Sequence, residues 1–74
     1  MNIGQIVKTP SKLIGLVIDK HEACVVAFSI TKAKLYPENK LTKLKWDDIT
    51  ESTQQDLLTL SKYCHVNLIK NGSK

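Results

Sequence analysis

Apolar residues are densest between Leu13 and Ile30, in the stretch LIGLVIDKHEACVVAFSI. Ile14, Leu16, Val17 and Ile18 precede a short polar break, Asp19-Lys20-His21-Glu22, and Ala23 to Phe28 follow it. Val, Ile and Phe suit a pleated, half-buried surface. Two such runs about a short polar interruption predict an antiparallel hairpin, and a four-residue connection most often holds a type I turn. The core is expected on these two strands, Lys12 to Asp19 and Ala23 to Ser29. Gly15, inside the first of them, predicts a bulge or a close backbone approach.

The rest of the pattern is sparser. Gln5 to Lys8 reads as a short first strand, ended by Thr9-Pro10-Ser11, because proline fixes φ and lacks an amide donor. The stretch TKAKLYPENKLTKLK, from Thr31 to Lys45, holds five lysines and one acid. If extended, it sets Lys32, Lys34 and Tyr36 on one face and Ala33 and Leu35 on the other. Pro37-Glu38-Asn39 is a turn signal. Leu41 to Trp46 then reads as a strand with Thr42, Leu44 and Trp46 on one side. The two pieces predict a second, more polar hairpin.

Ser52-Thr53-Gln54-Gln55 matches the S-x-x-Q capping box, and Asp56 suits the positive end of a helix dipole. Leu57, Leu60 and Cys64 recur at helical spacing, which predicts a helix from Thr53 to about Tyr63. His65 to Ile69 admits two readings, a continued helix or a last strand alternating Val66 and Leu68. Val66 and Asn67 are mediocre helix formers, which favours the strand. Asn71-Gly72-Ser73-Lys74 reads as a frayed tail. The expected core is Ile6, Ile14, Leu16, Ile18, Val25, Ala27, Leu44, Trp46, Ile49, Leu57 and Leu60.

The succession Ile3-Gly4-Gln5-Ile6-Val7, Ile14-Gly15-Leu16-Val17-Ile18-Asp19, Cys24 to Phe28 and Trp46-Asp47-Asp48-Ile49 resembles small SH3-like barrels of bacterial and phage proteins. The resemblance covers residues 3–49. It implies a strongly bent, mainly antiparallel barrel of about five strands, to which this chain adds a C-terminal helix. The expected class is therefore α+β, mainly β, in a single domain over residues 1–74. Proteins of this kind bind nucleic acid, peptides or other proteins. The resemblance thus implies a binding module and names no ligand, since one fold hosts many functions.

Length and composition narrow this further. A chain of 74 residues forms one thin core and buries only about 60–65% of its unfolded surface, so a deep substrate cleft is not expected. The apolar fraction, 42%, is ordinary for a folded domain. No apolar run approaches the roughly 20 residues of a membrane span, and Met1 to Gln5 does not open a secretory signal. A cytoplasmic location without membrane contact is expected. In that compartment Cys24 and Cys64 are expected to be free thiols, with Cys24 a small buried hydrophobe. All 11 basic residues are lysine, and the formal charge is +4. That balance favours anionic partners but lacks the arginines that most often read guanine.

Candidate chemistry is thin. His21, Cys24, Cys64 and His65 could be assembled into a zinc set. However, adjacent Cys64 and His65 would point opposite ways in a strand, and Cys24 sits in an apolar run. No metal site and no cofactor are expected. No nucleophile elbow or phosphate-cradling glycine loop is present, and Asp47-Asp48 reads as a strand end near a helix start. No enzymatic activity is expected.

The lysine-rich stretch carries the functional content. Lys32, Lys34, Lys40, Lys43 and Lys45 would line one edge, offering phosphate contacts without sequence reading. Tyr36 or Trp46 would be available to stack on a base. The bland alternative is a solvated hairpin whose lysines guard an edge strand. The competing reading is a protein-interaction adaptor or inhibitor. Its helix carries Leu57, Leu58, Leu60 and Tyr63, more apolar surface than one stripe needs, so Leu58 and Tyr63 become candidate contacts for a partner or for a homodimer.

Overall fold

The computed structural model describes residues 1–70, and the stretch Asn71 to Lys74, read above as a frayed tail, lies outside the described residues. Five strands, β1 (Ile6–Lys8), β2 (Ile14–Lys20), β3 (Cys24–Ser29), β4 (Lys32–Tyr36) and β5 (Thr42–Lys43), precede one helix, α1 (Glu51–Tyr63). They form an antiparallel sheet in the order β4-β3-β2-β1-β5. The class is α+β and mainly β, as expected. The sheet is open, with β4 and β5 as its edges, and is not closed into the barrel that the resemblance implied.

The central hairpin forms where the apolar runs predict it. β2 runs one residue past Asp19, whose carboxylate accepts from the Lys20 N–H at 2.8 Å, so the connection shortens to residues 21–23. The bulge falls at Ile18, where Val17 pairs with Val26 but Asp19 already pairs with Val25. At Gly15 the structure shows the close approach: a Cβ there would lie 2.6 Å from Val26 Cγ1 and 2.8 Å from the Ala27 carbonyl oxygen.

Both faces of the sheet are buried. On one, Ile6, Leu16 and Ala27 pack with Ile49, Leu57 and Leu60, flanked by Ile14, Ile18, Leu44, Trp46, Val66 and Leu68. On the other, Val7, Val17, Cys24 and Val26 pack with Leu41, covered by Met1, Phe28 and Tyr36. The sequence pattern predicted only the first of these cores. Val25, expected inside, is half-buried, and its neighbours Cys24 and Val26 take the fully buried positions. The reason is the period of 2 along β3: with both faces covered, Cys24 and Val26 share the second core, while Val25 turns to the side of Ala27.

The predicted second hairpin does not form. Residues Glu38–Lys40 make a short 3₁₀ turn, and Leu41 enters the second core. β5 then pairs with β1, not with β4. Trp46, expected to end a strand, begins another 3₁₀ turn, Trp46–Asp48, in which the Asp48 carboxylate accepts from the Lys45 N–H at 3.1 Å.

α1 begins at Glu51, two residues before the predicted start at Thr53. Its N-cap is Thr50, whose Oγ1 accepts from the Thr53 N–H at 3.3 Å. It ends in a Schellman motif: Val66 N–H donates to Ser61 O at 2.9 Å and His65 N–H to Lys62 O at 3.3 Å, with His65 left-handed at φ 56°. The helix does not continue into 65–69, and the strand expected there is reduced to a single bridge at Ile69. Ile69 forms a parallel bridge with Gln5, and its N–H donates to Gly4 O at 2.9 Å. Trp46 N–H donates to Lys70 O at 2.7 Å. The outer side of β1 is therefore covered in tandem by β5 and by this final segment.

Candidate interaction surface

The lysines that sequence reasoning singled out are all exposed, but they do not share one edge. Lys32 and Lys34 lie on β4, Lys40 closes the first 3₁₀ turn, Lys43 lies on β5 and Lys45 precedes the second 3₁₀ turn. Because β4 and β5 are opposite edges of the sheet, the segment that carries them crosses from one edge to the other over the second core. None of the five is in an ion pair among the described residues. Glu38, the acid between them, is occupied by the Met1 ammonium at 2.8 Å and Lys20 Nζ at 3.6 Å. The hydrogen bond from that ammonium holds the Glu38 carboxyl below its ordinary range.

The aromatic rings are engaged internally. Tyr36 is half-buried and meets Phe28 edge to face, with centroids 6.3 Å apart. Trp46 is half-buried, its carbonyl accepts from Gln54 Nε2 at 2.9 Å, and Lys70 Nζ sits 4.9 Å from the ring centroid. Such a cation over the indole face is attracted by the ring quadrupole, and it takes the face a base would stack on.

Of the two helix candidates, Leu58 is half-buried and Tyr63 is 62% exposed. Neither lines a mainly apolar cleft that the sequence reading missed. That cleft runs between α1 and the sheet and is bounded by Leu13, Ile14, Phe28, Leu57 and Leu60. Beyond Phe28 it continues to Ile30 in the β3–β4 turn. Leu13 and Ile30 are 52% and 53% exposed at its two ends. Lys12 stands at one end of the cleft, and Asp56 borders both parts. One part of the signal was present in the sequence: Ile30 is a large apolar residue just past the predicted end of the strand at Ser29, where polar loop residues are the rule.

Cysteine and histidine are dispersed. Cys24 is buried in the second core, Cys64 caps α1, and His21 is exposed in the β2–β3 turn, with Nε2 3.4 Å from the Asp19 carboxylate. Among the described residues no three His, Cys, Asp or Glu side chains converge as metal ligands. No helix of the described residues is long and apolar enough to cross a membrane. No family model matches the chain, and no curated protein or solved structure is similar enough to be matched with it.

Proposed function

We propose that this chain is a non-catalytic module that binds a polypeptide partner across the α1–sheet cleft. The observation that carries the reading is the pair of half-exposed apolar side chains, Leu13 and Ile30, bracketing a floor of Phe28, Leu57 and Leu60. Exposed apolar surface gathered over a groove marks a contact site more often than scattered residues do. The two parts of the cleft, about 270 and 360 Å³, suit a few side chains of an extended peptide rather than an enclosed small molecule. The SH3-like reading of this open five-stranded sheet, in which a shallow surface takes a peptide, belongs to the same proposal.

The test is a peptide-display selection against the immobilised protein. Selected peptides should lose binding to a Leu13→Asn/Ile30→Asn variant that melts like the parent. Peptides retained equally by both proteins would overturn the assignment.

A second reading, contact with nucleic acid, is favoured by the five exposed, unpaired lysines between Lys32 and Lys45. With Tyr36 and Trp46 packed, such binding would rest on phosphate attraction alone. It would fall steeply with salt and show little preference for sequence.

A further inference from the structure

Among the described residues, β4 is the long unpaired edge of the sheet. Its four pairs with β3, from Cys24↔Tyr36 to Ala27↔Ala33, run in register without a break, and the irregularity lies beyond them, between Ala27 and Ser29. In such a strand the backbone N–H and C=O groups of alternate residues point away from the neighbour. Natural edges are blunted by brevity, bulges, proline or charge. β5, at two residues, is blunted by brevity, whereas β4 relies on its lysines and on Pro37 just past its end. Leu35, next to the end of the strand, is left 68% exposed, the most exposed of the large apolar residues.

The charges select the occupant. A second copy could pair with all five residues of β4 in only one antiparallel register, centred on Lys34. That register sets Lys34 opposite Lys34, and like charges directly opposite are destabilising. Each copy also carries a formal charge of +4. An extended segment with acids facing Lys32 and Lys34 meets the same edge with favourable cross-strand pairs.

From this we infer that β4 accepts an acidic extended segment of a partner protein as an added antiparallel strand. The matching pattern in the partner is apolar–acid–any–acid. The apolar residue faces Leu35, the first acid faces Lys34, and the last acid faces Lys32. Past Lys32 the added strand reaches the β3–β4 turn, where Ile30 opens the cleft. The inference rests on the protein-binding reading and names the partner's chemistry.

The experiment titrates the whole protein with short labelled peptides carrying that pattern, read by fluorescence anisotropy and by amide exchange at Lys32–Tyr36. Binding should slow exchange at alternate β4 amides. N-methylating one alternating set of peptide amides should abolish binding, and methylating the other set should leave it. Lys32→Glu/Lys34→Glu, checked for unchanged melting, should weaken binding by about tenfold or more, and a peptide with lysines in place of the acids should restore it. Binding that survives both N-methylated sets would overturn the inference. So would protection of β4 by self-association without peptide, or by a single-stranded oligonucleotide when no peptide binds. A peptide that perturbs Leu13 and Ile30 but leaves β4 unprotected would overturn strand addition and leave the protein-binding reading standing. Strand addition that persists in Leu13→Asn/Ile30→Asn would support the edge and remove the cleft.

Discussion

At His65 the backbone is left-handed, with φ 56°, in the position after the helix cap where glycine is the usual occupant. A side chain there costs roughly 1–2 kcal/mol through crowding with the carbonyl. His65→Gly should therefore stabilise the protein by about 1 kcal/mol and raise the melting midpoint by roughly 4–8 °C, measured by circular dichroism. Gly4 is the opposite case. Its φ is 97°, and a Cβ there would collide with the Asn67 carbonyl oxygen. Gly4→Ala should destabilise by more than about 1 kcal/mol in the same assay. On β3, Val26→Asp should abolish folding, because Val26 is fully buried and an unpaired carboxylate cannot be accommodated there. Val25→Asp should be milder. The burial of Cys24 was legible in the sequence, but that of Val26 in place of Val25 was not: both are valines, and only the cover on the second face decides between them.

Elements were legible where one local signal dominated. The β2–β3 hairpin and α1 follow from apolar periodicity, which burial on the sheet then rewards. Boundaries were lost where two signals compete. Ser52-x-x-Gln55 matches a capping box, but the Thr50 hydroxyl caps the helix first. Thr50→Ala should cost about 1 kcal/mol of stability, whereas Ser52→Ala should stay within about 0.5 kcal/mol; urea melts of both variants separate the two caps. The Pro37-Glu38-Asn39 turn was read as a hairpin connection because a turn signal does not specify which strand comes next. Leu41 decides that by packing with Val7, Val17, Cys24 and Val26, which carries β5 away from β4 and on to β1. The candidate lysines were thus found as exposed residues, but their shared edge was not. The cleft was missed because it joins three distant segments that no local pattern connects.

For the molecule as a whole, electrostatics make two separable predictions. If phosphate contact operates, Lys34→Gln/Lys43→Gln should flatten the salt dependence of oligonucleotide binding by roughly 1.4 to 1.8 in logarithmic slope. Melting should barely move, since both side chains are exposed. Glu38 contributes on the acid side. Its carboxyl is held low by the hydrogen bond from the Met1 ammonium. A depressed folded value means that its contribution is present above the unfolded pKa and is lost as pH falls through the folded one. A Glu38 carboxyl titration followed by nuclear magnetic resonance should show its midpoint below the ordinary glutamate value. Glu38→Gln should remove part of the loss of stability on acidification.

The meeting of Gln5 with Ile69 also sets an order of events during synthesis. Among the described residues, the carbonyl of Gly4 accepts from the Ile69 N–H and the N–H of Trp46 donates to the Lys70 carbonyl. While the ribosome still holds Ile69 and Lys70, β1 to β4 can assemble, but the helix-side core waits for Val66 and Leu68. The final docking step therefore cannot begin until Lys70 has left the ribosomal tunnel. Closing so long a loop is affordable because its entropic cost rises only with the logarithm of length. A nascent chain tethered just after Lys70 should gain its full resistance to protease only once the tether is long enough to free that residue.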